Sequence, residues 1–374
     1  MSDAAVVDLT ALPAMDIAGR LGRLRDRLAG TGCEGLLVTS LTNIRYLTGF
    51  TGSAGLLLVL PDDAVLVSDG RYRDQAEDEI ASAGVTVRIE ITTSDHQQIL
   101  SAATAGMSAM GLEADDVSWA MQRRISEEWL PDLDLVPTSG LVEGVRLVKD
   151  EGEIARIEAA ASIADTALAQ VWPLLATEPT ERAFALELDT AMRRLGAKDV
   201  SFETICASGP NSARPHARPS DRRMVEGDLV VLDFGALLDG YHSDMTRTVI
   251  LGEPDDTQQR LLDVVIEAQQ RGVERVGPGV ECRAVDAACR EFILDAGWGE
   301  AFLHGTGHGV GLDIHEDPRV AGSSSTTLEV GEVVTVEPGV YLTGIGGVRI
   351  EDTLLVTADG NRPLTHAPKQ TRVA

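Results

Sequence analysis

Two stretches of this chain carry one pattern 104 residues apart: GDLVVLDFG begins at Gly227 and GEVVTVEPG at Gly331, so Asp233 falls on Glu337. Each is followed by a turn and a second apolar run holding another carboxylate, Asp244 in HSDMTRTVIL and Glu351 in VRIEDTLLV. Ahead of each lies a helical stretch closed by glycine: 180–195 stops at Gly196, and 281–296 stops at Gly297. A chain that repeats helix and hairpin in this way is expected to fold as two similar halves, a pseudo-twofold α+β domain.

The turns set the register. Asp239-Gly240 is a two-residue hairpin signal, which places Asp233 opposite Thr246 and Asp244 opposite Gly235. Both carboxylates then face the same side of the sheet as diagonal neighbours. In the second half, a loop of odd length centred on Gly344 puts Glu337 directly opposite Glu351. Four acids are thus expected on two facing hairpins, next to the apolar runs LVVL and VVTV. Any one of them could sit at a strand end, solvated or paired with Arg247 or Arg349. Four in matched positions repel one another, and buried carboxylates need a partner or a metal. Two divalent cations would cancel four negative charges, so a dinuclear site is the simplest physical solution.

Nitrogen donors are close at hand. Five of the seven histidines (His216, His242, His304, His308 and His315) fall within one hundred residues. Three belong to LHGTGHGVGLDIHEDP, where glycines at 305, 307, 309 and 311 make a helix improbable. His304 and His308 therefore lie on one face of an extended segment. The segment is neither an HExxH zinc motif nor a dinucleotide loop, because Val310 occupies the sixth position of the GxGxxG frame that begins at Gly305. Carboxylate-rich ligation with one imidazole suits Mn, Co, Fe or Zn, and spacing alone leaves open which histidine takes part.

A length of 374 residues allows two or three domains. The first part reads as a smaller α/β unit. An amphipathic segment over 16–29 is followed by an apolar run at 36–38 and the polar, Gly-rich TNIRYLTGFTGS. Strands are expected over 55–60 and 64–68, a helix over 71–82 and a strand over 85–91, together a small parallel sheet. The composition turns charged at VRLVKDEGE, which sets a boundary near 145 and domains of 1–144 and 145–374. Thirty-two basic against fifty-nine acidic residues give a net charge of −27, which disfavours nucleic acid and anionic membranes as partners. Only three cations are lysine, none after a glycine, so a P-loop is absent. Cys33, Cys206, Cys282 and Cys289 form no CxxC pair. The opening MSDAAVVDLTALPAMDIAG has no basic stretch before an apolar core, and no apolar run nears about 18 residues. A signal peptide and a membrane span are therefore not expected, and a cytoplasmic location is.

The combination of ASGPNSARPH, LDFGA, HSDMTRT, HGTGHGVGLDIHE, VEPG and RIED resembles the pita-bread metallopeptidases, specifically their Xaa-Pro aminopeptidase and Xaa-Pro dipeptidase (prolidase) branch. It covers about 145–357, while TGFTGS and SDGRYRDQA resemble that branch's creatinase-like N-terminal domain. Methionine aminopeptidases share the catalytic fold but lack such a domain. The resemblance implies a peptidase that hydrolyses the bond between an N-terminal residue and proline, acting on short peptides with proline second. It also implies two divalent metal ions, Mn or Co first and Zn or Fe next, and a homodimer.

Residue by residue, the resemblance places the metal ligands on Asp233, Asp244, His308, Glu337 and Glu351. Glu337 matches the proton shuttle. His216 and His315 match positions that bind substrate and donate to the developing oxyanion. His304 matches a residue lining the proline pocket, and Arg349 an arginine that holds ligating carboxylates in place. His242 is expected to be structural, and His96 and His366 solvated. Two departures bear on substrate: Arg214 stands where smaller or apolar residues are usual, and Thr306 where Leu is common. Arg214 could meet a substrate carboxylate, favouring dipeptides, or point away. Two other readings are a metal-free creatinase-like amidinohydrolase and a non-catalytic peptide-binding scaffold, both disfavoured by retention of all five ligand positions.

Overall fold

The structure is a computed structural model that describes residues 7–369 and 372–373. It divides into two compact units, one of Met15–Arg146 and one running from Leu147 onward together with the segment ahead of Met15. That segment had been expected to belong with the first domain. Its described residues instead pack in the second unit, where Val7 lies against a core cluster and the Pro13 carbonyl accepts from Arg156 Nη1 at 3.0 Å.

The first unit holds a six-stranded sheet with the order Arg88–Ile91, Ala64–Ser68, Leu56–Val59, Leu36–Val38, Ala109–Glu113, Asp134–Thr138. The expected parallel sheet is in fact mixed. Leu56–Val59 runs antiparallel to both neighbours, and the tight turn at Pro61-Asp62 requires this of its pairing with Ala64–Ser68. The polar, Gly-rich stretch that follows the first strand contains a helix, Leu41–Thr48, capped by Ser40 and closed by Gly49 at φ 78°. Its polar face is not solvated. Asn43 is fully buried and donates to Glu113 Oε1 and Glu143 Oε1, and Glu113 Oε2 accepts from the amides of Thr39 and Ser40.

The second unit is built around two main sheets, each backed by two helices, with two smaller ladders beside them. Ile205–Ser208, Leu229–Phe234 and Met245–Leu251 pair in that order and pack under Glu151–Val171 and Glu181–Arg194. Gly307–Gly309, Val333–Val336 and Asp352–Thr357 form the matching layer under Asp256–Arg275 and Cys282–Asp295. Glu151–Val171 begins with a capping box from Asp150 and Glu153. With the turn that follows it, this helix is long and apolar enough to cross a membrane by composition. Its stripe of Ile157, Ala161, Ala164 and Leu168 is accounted for by burial in the unit's own core.

Both hairpins have the expected register. Asp233 pairs with Thr246 and Phe234 with Met245, while Asp239 and Gly240 take positive φ at the turn. In the second half, Gly339 pairs with Arg349 and Val336 with Asp352, so Glu337 and Glu351 face each other between two ladders. The hairpins meet along their second strands. Glu351 N donates to Thr246 O (3.1 Å), Thr246 Oγ1 to Glu351 Oε2 (2.7 Å), and Thr353 Oγ1 to Asp244 O (2.7 Å). This crossing is symmetric: Thr246 and Thr353 hold equivalent places two residues after their acids, and each bonds the acid-bearing residue of the other half. Between Asp233 and Asp244, Gly235 lies against the Ser243 carbonyl, with which any Cβ would collide. Gly235→Ala is expected to destabilise the protein by about 1–3 kcal/mol, the usual cost of overpacking, measured as a shift in the denaturant midpoint.

Candidate active site

The two hairpins and the glycine-rich segment bring all nine expected residues to one cavity of about 610 Å³. Asp233, Asp244, His308, Glu337, Glu351, His216, His304, His315 and Arg349 line it together. Asp244, His308 and Glu351 are buried, and each offers a donor atom within 4.8 Å of the others. His308 Nε2 lies 3.5 Å from Asp244 Oδ2 and 3.6 Å from Glu337 Oε1. Its Nδ1 is 2.9 Å from Gly309 O, an atom that can only accept, so the proton sits on Nδ1 and the Nε2 lone pair faces the acids. Burial pushes this imidazole down to about 4, which keeps it neutral.

The acids are arranged as partly locked pairs of oxygens. Arg349 Nη2 donates to Asp233 Oδ2, leaving Oδ1 buried with no hydrogen-bond partner. Thr246 Oγ1 donates to Glu351 Oε2 and leaves Oε1 in the same condition. Burial raises the carboxyls of Asp244 and Glu351 well above the ordinary range, with the neighbouring acids adding to it. It lifts Glu337 to about 8 and outweighs Arg349 at Asp233. Orphaned buried oxygens, mutually repelling acids and an inward imidazole lone pair are what a divalent cation would satisfy, so the residues present fit a metal.

Around this cluster the other residues take distinct places. Tyr341, with no signal in the sequence, accepts from Arg349 Nη1 at 2.8 Å and lies 2.9 Å from His304 Nε2. His304 Nδ1 donates to Gly305 O, so both of its nitrogens are spent within the protein and the ring serves as a wall. His315 meets the His308 ring edge-on at 4.5 Å between centroids, and His216 is exposed at the rim. Thr246 is buried opposite Asp233, where it also accepts from Arg349 Nε at 3.1 Å; the register alone could have found it. Arg218 and Arg319 line the cavity, whereas Arg214 is exposed and does not. Thr306 is fully buried and also outside the lining. His242 stays off the cavity, its amide bonded to Gly311 O. His366 is exposed, but His96 stacks on Trp129 at 4.8 Å rather than being free in solvent.

Four acids from two related hairpins around one neutral imidazole, in an open cavity, make the kind of donor set that a divalent metal takes. The sequence pattern of metallopeptidase family M24 matches residues 155–358, and that of the creatinase/prolidase N-terminal domain matches residues 20–148. The chain is 41% identical over 354 residues to an uncharacterized peptidase, YqhT, of Bacillus subtilis, covering 94% of this chain and 99% of that one. Its structure is similar to the Xaa-Pro dipeptidase from Bacillus anthracis, with a TM-score of 0.90 and 39% identity over 96% of this chain and 100% of that one. It is also similar to the X-Pro aminopeptidase from Thermotoga maritima, with a TM-score of 0.84 and 34% identity over 94% and 99%. The chain belongs to metallopeptidase family M24: a peptidase with a creatinase/prolidase N-terminal domain and a pita-bread catalytic domain.

Proposed function

We propose that this protein is an Xaa-Pro dipeptidase that works with two divalent metal ions, Mn or Co before Zn or Fe. Asp233, Asp244, His308, Glu337 and Glu351 would hold them. The observation that carries this reading is the pair of buried, partnerless oxygens, Asp233 Oδ1 and Glu351 Oε1, beside the inward-facing Nε2 of His308. When bound, such ions polarise the scissile carbonyl and bring the pKa of water towards neutrality.

The protein's own groups do the rest. Glu337, at the edge of the acid cluster, would take a proton from the attacking water and pass it to the departing proline nitrogen, which must leave as a secondary amine. His315 and His216 are placed to donate to the carbonyl oxygen as charge develops there. The closed network of Arg349, Tyr341 and His304 presents a fixed wall to the proline ring and asks for no N–H from it.

Arg319 supports dipeptides over longer peptides. It lines the cavity without a carboxylate partner among the described residues, whereas Arg218 already pairs with Glu203 at 3.2 Å. A substrate carboxylate matches the unpaired guanidinium. Arg319→Ala is expected to raise KM for Xaa-Pro by about tenfold or more, one charge-assisted hydrogen bond's worth, and to change Xaa-Pro-Yaa little. Arg214→Ala should alter neither. Faster cleavage of Xaa-Pro-Yaa than of Xaa-Pro would assign an aminopeptidase instead, and preference for Xaa-Ala would remove the proline specificity while leaving the metal chemistry. The same proposal includes a homodimer in the cytoplasm. Light scattering at micromolar concentration should give twice the chain mass, and a monomer's mass would contradict it.

A further inference from the structure

The segment carrying His304 and His308 is held from behind by a polar clamp on the helix Cys282–Asp295. Asp286, 1% exposed, accepts at Oδ1 from Thr306 Oγ1 (2.8 Å) and from Thr306 N (3.2 Å). Both its oxygens also take Arg290, at 2.8 and 2.9 Å. The remaining Arg290 N–H groups reach Phe302 O (3.2 Å) and His304 O (2.7 Å). Thr306 in turn presents its carbonyl to Glu337 N at 2.7 Å. An unbroken chain of bonds therefore runs from the helix through Thr306 to the backbone of Glu337.

That chain meets a tightly packed strand. A Cβ at Gly307 would collide with the Thr335 carbonyl, and His308 N donates to Thr335 Oγ1 at 3.1 Å. A shift of the Thr306 peptide would thus move Glu337 and His308 against each other. We propose that Thr306, anchored by Asp286, is a positioning residue that fixes Glu337 relative to His308, and so sets metal affinity and turnover without touching substrate. This rests on the assignment of those two residues as metal ligands.

The test uses the full-length protein with Thr306→Val, which removes only the hydroxyl bond, and Thr306→Ser, which restores it. Mn(II) binding is measured by calorimetry on chelator-treated protein, and kcat and KM on an Xaa-Pro dipeptide at saturating Mn(II). Thr306→Val is expected to lose about tenfold in both Mn(II) affinity and kcat, as sub-ångström misplacement does, with KM within about twofold of wild type. Thr306→Ser should recover both. Wild-type values in Thr306→Val, or equal losses in Thr306→Ser, would overturn the proposal, the latter by showing that methyl packing is responsible. Should Thr306→Val not fold, Asp286→Asn is read by the same criteria. Wild-type protein that neither binds Mn(II) nor cleaves the peptide would remove the ligand assignment itself.

Discussion

Glu337→Gln is expected to lower turnover on an Xaa-Pro dipeptide by at least about 100-fold, the lower bound for losing a general acid/base. The substitution keeps the side chain's size and the Glu337 N to Thr306 O bond. Metal content measured on the same preparation separates a weakened ligand from a lost proton carrier: a fully loaded but slow variant has lost the proton. His242→Ala is the control, since that ring stands off the cavity, and its effect on turnover should be far smaller. Equal, small losses in the two variants would show that the roles are wrongly assigned.

Removal of metal should abolish activity and also change how stability responds to pH. In the metal-free fold, the carboxyls of Asp233, Asp244, Glu337 and Glu351 are all raised, Glu337 to about 8. The unfolded chain gives up these protons near pH 4 to 4.5, about the ordinary carboxylate value. Above that range the folded state binds more protons than the unfolded state, so stability falls as pH rises through the folded values. Burial lowers His96, His242, His304, His308 and His315, which opposes this trend below the ordinary histidine value of about 6.5, so the unfolding midpoint of chelated protein is expected to drop between about pH 6.5 and pH 8. Saturating Mn(II) should remove this slope, and binding should release protons. A midpoint that rises over the same interval, or full activity in protein assayed free of metal, would contradict a metal centre at these four acids.

The hairpins were legible because two short signals, Asp239-Gly240 and the loop around Gly344, fix a period-two pattern once the turn is placed. The same arithmetic puts Thr246 beside the acids. Tyr341 and Arg319 left no comparable trace, since what makes them important is contact across the cavity with His304 or exposure to it. Thr306 could be singled out as unusual, but its direction, towards Asp286 and away from the cavity, follows from packing between a helix and a strand twenty residues apart in sequence. In the first unit, the helix Leu41–Thr48 was hidden because its polar face is satisfied by Glu113, seventy residues distant from Asn43, rather than by water. Local periodicity reports what faces solvent and cannot see a buried polar hub.

The reciprocal threonine bonds bear on the chain's ancestry. Thr246 steadies the carboxylate of Glu351, while Thr353 steadies the backbone that carries Asp244. Each half lends the other a threonine hydroxyl, to a carboxylate in one direction and to a backbone carbonyl in the other. Two identical copies of one half, related by a true dyad, would also trade one hydroxyl each, though both to the same kind of acceptor. Fusing such copies into one gene would free the sequences to diverge, giving the second copy His308 and Tyr341 and the first the rim bearing His216.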